Sequence, residues 1–262
     1  GKNICEIEEV IIGSKDLNFD DYVKLRLIGF TLWMTNKGIL YTSLIKFLRQ
    51  QNIDVATLFF QLVEQRNTSS KIIQNVYGKF QQATINELYD SPEEILLKIQ
   101  DEVEFQKLVD EKAGFNVIRF HHTMILSDCM DEWTEYVLKI AHKLLQETGK
   151  LNLETEKQFH DISSYCRGKS HNPLGVNRME TNPEFTFNYD IDKWIDETSD
   201  ISTLDKFSVS KPLELIFTLT NEQFQIIRDN IELFGHSTVG YTKALKMVPE
   251  RMFWRNPRLI TK

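Results

Sequence analysis

The sequence predicts a mainly α, α+β fold: a multi-helical bundle with a short N-terminal strand and a small C-terminal antiparallel β element. Three observations carry that prediction. Apolar residues recur at helical spacing from Phe19 to Cys166, with a polar cap, Gly or Pro at the breaks. Stiff β-branched residues run together at Val10, Ile11 and Ile12 near the start. After Pro183 the period drops to two. Phe185, Phe187 and Tyr189 alternate with Glu184, Thr186 and Asn188, and a second alternating run spans Leu213 to Leu219. This change of period divides the chain into a helical part, residues 1–168, and a small α+β part, residues 169–262, expected to pack as one unit.

The elements follow in order. The run Ile7–Ile12 reads as a strand ended by Gly13 and Ser14. Asn18 is the expected cap of the first long helix, and Asp20 and Asp21 place negative charge at its positive end. Phe19, Tyr22, Val23, Leu27, Phe30, Trp33 and Met34 share one broad face. Leu25, Ile28 and Leu32 fall elsewhere on the wheel, so this helix is expected to be buried on more than one side. Lys37-Gly38 reads as its stop, and a short helix follows through Leu40, Leu44, Phe47 and Leu48. Asp54, Ser69-Ser70 and Ser91 start three further helices, the last with Pro92 at its first position and Glu94 at its third. Phe115 to Thr148 reads as one long helix ended by Gly149, and Leu153 to Cys166 as another. Gly168 is expected to open a loop that runs past Asn172-Pro173, Gly175 and Asn182. In the C-terminal part, Asp190–Thr198 reads as a short helix, and Pro212 confines the second strand's start to an edge or strand end. Thr220 and Gln223 form a capping box, Gly235 closes that helix, and a last one runs from about Ser237 to Val248, stopped by Pro249.

Composition narrows the function classes. Charged and apolar fractions are those of an ordinary globular protein. A net charge of −7 argues against a general nucleic-acid binder. No apolar run is long enough to span a bilayer and no signal peptide opens the chain, so a membrane partner is not expected. The three cysteines, Cys5, Cys129 and Cys166, are far apart and odd in number. They make no disulfide framework and suit a reducing, cytoplasmic compartment. Gly1 and a start so close to a strand read as a fragment cut at a domain boundary.

Two stretches carry a resemblance. The first is an extended run ending in Val10-Ile11-Ile12, a small spacer, the helix start Phe19-Asp20-Asp21-Tyr22, Arg26, a bulky apolar helix, a Gly and a leucine-rich helix. The second is Phe234-Gly235-His236-Ser237-Thr238-Val239-Gly240 with Lys243, Lys246 and Arg251 behind it. Together they resemble the C-terminal region of cobalamin-binding radical S-adenosylmethionine enzymes, over the whole chain. The resemblance implies an accessory region of such an enzyme, commonly a methyltransferase, with an iron–sulfur cluster, S-adenosylmethionine and cobalamin held by upstream catalytic domains of the same chain. The cluster-binding C-x3-C-x2-C and the cobalamin loop Asp-x-His-x-x-Gly are both absent here. No cofactor, metal or catalytic residue is therefore assigned to this chain. The opening strand would attach it to the barrel, and the apolar faces of the first helices would pack on that barrel or shape substrate access.

Other constellations read more plainly. His121-His122 with Asp128 and Cys129 lacks the one-turn spacing of a helical metal site, so a packed His121 and a solvated His122 are expected. Cys166, with His160 and His171 nearby in sequence, reads as a core thiol. The basic stretch Arg167, Lys169, His171 and Arg178, and the basic tail with Arg251 and Arg255 beside Phe253 and Trp254, are the candidate anion or partner contacts. The tail is read as docking on the catalytic domains. The rival reading of the whole chain is a free-standing helical interaction or regulatory protein.

Overall fold

The computed structural model describes residues 3–36, 39–110, 114–174, 182–197 and 202–260. Among these the chain forms twelve α-helices and one three-stranded sheet. The helices of the first part are α1 (Phe19–Asn36), α2 (Thr42–Gln50), α3 (Val55–Glu64), α4 (Lys71–Asn86), α5 (Pro92–Lys98), α6 (Glu102–Val109), α7 (Val117–Asp128), α8 (Met130–Glu147) and α9 (Leu153–Ser170). The second part adds β1 (Glu184–Tyr189), α10 (Ile191–Asp196), β2 (Ser208–Thr218), α11 (Asn221–Phe234), α12 (Thr238–Met247) and β3 (Asn256–Leu259). The mainly α, α+β class is what the sequence predicts. The Lys37-Gly38 stop, Gly175 and the far end of the Asp190–Thr198 helix lie outside the described residues.

One hydrophobic core runs from Val23 of α1 to Trp254 near the C-terminus. Its centre is aromatic. Phe30 stacks on Phe80 at 4.3 Å, His121 stands edge-on to Phe80, and Trp133 tilts against Tyr77 at 5.7 Å. The predicted caps hold the helix starts. Asn18 accepts from the Asp21 amide at 2.9 Å, and Asp54, Ser70, Ser91 and Thr220 each accept from an amide of their own first turn.

The sheet is antiparallel in the order β1-β2-β3, with Phe185 opposite Leu215 and Leu215 opposite Leu259. It lies against α9. Asp161 of α9 is fully buried and accepts from the amides of Asn188 and Tyr189 at 2.5 and 3.2 Å, which clamps β1 to the helix. Burial pushes the Asp161 carboxyl up, and the Asn188 and Tyr189 bonds pull it back.

Six local expectations need correction. Residues 3–14 form no strand; Val10 and Ile11 are exposed, because a lone extended run has no hydrogen-bonding neighbour in the sheet. The long helix over 115–148 breaks at Cys129, whose amide closes α7 on Ile125 while its carbonyl accepts from Trp133 to start α8. The break lets α7 lie on α4 and α12 while α8 lies on α3 and α9. Gly168 opens no loop but sits inside α9, where a Cβ would come within 2.5 Å of the buried Phe217 ring. Pro212 lies within β2, in the irregularity where residues 209–212 face only Asn188, so no ladder bond is lost there. Helix α1 buries one side only, through Val23, Leu27, Phe30 and Met34, and leaves Leu25 and Leu32 exposed. Arg255, read as a contact of the basic tail, is instead buried with Phe253 and Trp254, and β3 beyond it completes the sheet.

The glycines of the second resemblance stretch have a physical reason. Gly235 ends α11 at φ +86°, a conformation that costs other residues dearly. A Cβ on Gly240 would lie 2.3 Å from the Gly235 carbonyl oxygen. The two glycines therefore permit a tight corner between α11 and α12, held by Ser237 accepting from the Gly240 amide at 3.1 Å.

Candidate functional site

Helices α8 and α9 run side by side, and the seam between them gathers the predicted residues that the fold brings together. Arg167 binds Glu135 through two hydrogen bonds, from Nε at 2.5 Å and Nη2 at 2.9 Å. One turn on, His171 Nδ1 lies 3.3 Å from Asp131 Oδ2. The spacings match, because Asp131 and Glu135 are four apart on α8 and Arg167 and His171 four apart at the end of α9. Between them is a cleft of about 220 Å³, lined also by Thr134, Ser170, Pro183 and Phe185.

The floor of the cleft is a chain of hydroxyls. Tyr41 and Thr134 are 2.9 Å apart, Thr134 donates to Ser170 at 2.9 Å, and Ser170 donates to the Arg167 carbonyl. These groups are buried, and their bonds fix α2, α8 and the end of α9 against one another. Arg167 and His171 at the rim each face a carboxylate, so the seam is no basic cradle. The Glu135 bond raises the pKa of Arg167 and keeps it charged.

The other candidates are placed elsewhere. Lys169 reaches away from the cleft, over the Tyr165 ring at 5.5 Å, and burial lowers its pKa. Arg251 is exposed in a 3-10 turn, Glu250–Phe253. Arg255 is an internal clasp rather than a surface contact. Its Nε donates to the His171 carbonyl at 2.7 Å and its Nη1 donates to Asn182 and, at 3.4 Å, to the Phe217 carbonyl, which locks the end of α9 to β2. Arg178 lies outside the described residues. Cys166 faces Ser43 at 3.6 Å, not His171, and burial pushes its thiol up to about 11, so it is a packed group rather than a nucleophile.

The two neighbouring histidines divide as a helix requires. His121 is buried, donates from Nδ1 to the Val117 carbonyl at 2.8 Å, and has its pKa lowered by burial. His122 is buried as well, where solvation was expected: its Nε2 lies 3.3 Å from Glu250 Oε1, in a smaller cleft shared with Arg119, Thr123, Thr242 and Lys246. That partner is remote in sequence and leaves no local signal. Asp131 and Glu135 were also missed, although their spacing, matched to Arg167 and His171 on the next helix, is a signal of paired faces. Among the described residues no group of three or more His, Cys, Asp or Glu is placed to hold a metal ion, and no helix is long and apolar enough to cross a membrane. No family model, curated protein or solved structure matches the chain.

Proposed function

We propose that this chain is a non-catalytic helical docking module, the C-terminal accessory region of a cytoplasmic cobalamin-dependent radical S-adenosylmethionine enzyme. One observation carries the docking role. Helix α1 carries apolar residues beyond the side that the fold covers. Leu25 and Leu32 are 55% and 37% exposed on the outer face, while Ile28 beside them is half-buried against the core. Apolar side chains left in water on a helix are stabilised when another surface covers them. Val10, Ile11 and Ile12, ahead of this helix in the chain, are exposed as well.

The resemblance supplies the covering surface: the catalytic barrel of the same polypeptide, whose own residues would hold the iron–sulfur cluster, S-adenosylmethionine and cobalamin. The α8–α9 seam supports the non-catalytic reading, since its hydroxyls are occupied in joining helices and Arg167 and His171 are each engaged by a carboxylate of α8. The free cysteines support the cytoplasmic placement.

The test is the size of the natural polypeptide in its source cell, read with an antibody raised against this chain. The expected band is far larger than 262 residues, in material that carries iron and a corrinoid absorbance. A band of this chain's own size, in material without either, overturns the assignment and leaves an interaction protein.

A further inference from the structure

We propose that the α5–α6 hairpin is a second docking surface, one that receives a basic amphipathic helix of a partner protein. The hairpin stands apart from the core. Neither α5 nor α6 has a buried residue, and neither packs broadly on another helix or strand among the described residues. Ile99, in the turn between them, is buried, and its carbonyl accepts from Asn3 Nδ2 at 2.9 Å. Helices of seven and eight residues have little stability of their own. Local caps hold them, with Ser91 accepting from the Glu94 amide and Asp101 from the amides of Val103 and Glu104.

Half of the hairpin's apolar side chains point outward, while Ile95, Phe105 and Leu108 are half-buried and Ile99 is buried. Leu97, Val103 and Val109 are 75%, 66% and 59% exposed, and Leu96 is exposed beside them. Ordinary solvated hairpins place charge at such positions, and this one has charge to spare. Residues 90–110 hold seven acids and two lysines, a net −5. Residues 3–12, which the Asn3 bonds tie to Ile99 and Gln100, add Glu6, Glu8 and Glu9. The chain totals −7, so everything outside these two segments sums to +1. The two lysines are already engaged, Lys98 with the Tyr89 hydroxyl at 2.8 Å and Lys107 with Glu104.

The charge selects the occupant. An apolar strip rimmed by carboxylates complements an apolar stripe flanked by Lys and Arg, the arrangement of a basic amphipathic helix. The same sign repels nucleic acid and anionic lipid. A two-fold contact with a second copy would set this acidic surface against itself.

The probe is a synthetic helical peptide with a leucine stripe flanked by lysines, beside a scramble of the same composition. Each is titrated into the full chain and followed by amide chemical shifts. The designed peptide is expected to shift amides within residues 3–12 and 90–110, and to bind at least tenfold more tightly than the scramble. Leu97→Ser with Val103→Ser weakens it tenfold or more. Glu93→Gln with Glu102→Gln weakens it and flattens its salt dependence. All four positions are exposed, and circular dichroism checks that the variants keep their helices. Leu25→Ser with Leu32→Ser, on the α1 face, leaves the affinity unchanged, which separates this proposal from the accessory-module reading. Shifts elsewhere, equal binding of the scramble, unaltered binding by the hairpin variants, or self-association through the hairpin in sedimentation overturn it.

Discussion

The α8–α9 seam and the α5–α6 hairpin hold comparable proportions of apolar residues and use them in opposite ways. Helix α8 buries ten residues, among them Trp133, Tyr136 and Leu145. Thr134 of this helix is spent inward, donating to Ser170 of α9, and Glu135 and Asp131 reach across the seam to Arg167 and His171. The hairpin buries nothing within its helices and turns Leu97 and Val103 to water. The difference teaches where to look for each role. Closely packed seams with self-satisfied polar groups hold a fold together, whereas short capped helices with outward apolar side chains are surfaces that await a partner.

The largest expected effect is at the centre of the packed region. Trp133 is fully buried against Phe30, Tyr77 and Tyr136, so Trp133→Ala should cost about 3–5 kcal/mol. Leu97→Ala in the hairpin should change stability by no more than about 0.5 kcal/mol. Urea denaturation of both variants checks the contrast, and similar losses would mean that the hairpin is part of the core.

Glycine substitutions sharpen the comparison at intermediate size. Gly168→Ala meets the Phe217 ring and Gly240→Ala meets the Gly235 backbone, so each should lose about 1–3 kcal/mol. Gly78 of α4 has nothing within 4 Å of an added Cβ. Gly78→Ala should raise stability by about 0.5–1 kcal/mol through helix propensity alone. Thermal melting of the three variants reads both signs in one series.

The smallest effect is a pH dependence. Burial lowers the His121 pKa below that of the unfolded chain. The unfolded state therefore takes up a proton first, near pH ~6.5. The stability that His121 contributes is complete above that pH and is lost as pH falls toward the lower folded value. The advantage of the native chain over His121→Asn should shrink as pH is lowered from 7.5 to 5. A constant gap across that interval would show that His121 is not kept neutral by its surroundings.

Local sequence chemistry explains how much of this was legible. Asn18, Asp54, Ser91 and Thr220 mark helix starts because their caps are bonds to amides two or three residues away. The alternation in β1 marks a strand because one face of it packs on α9. In the same stretches, Val10–Ile12 misled because strand propensity without a neighbour makes no strand. The candidate site was half legible. Arg167 and His171 were visible as a basic stretch, but the carboxylates that face them come from α8. Arg255 looked like a surface cation, yet the fold turned it into a buried clasp.

The sequence by itself determined the class of fold, the helix starts, the change of period after Pro183 and the separation of charge, since each depends on residues within a few turns of one another. Only the tertiary structure decided that α1 keeps one apolar face, that Cys129 breaks a long helix, that Gly168 and Gly240 allow close contact, and that His122 pairs with Glu250. The physical reason is range. Caps and periodicity act through neighbouring backbone amides, whereas burial and ion pairing depend on which distant surface the chain folds against.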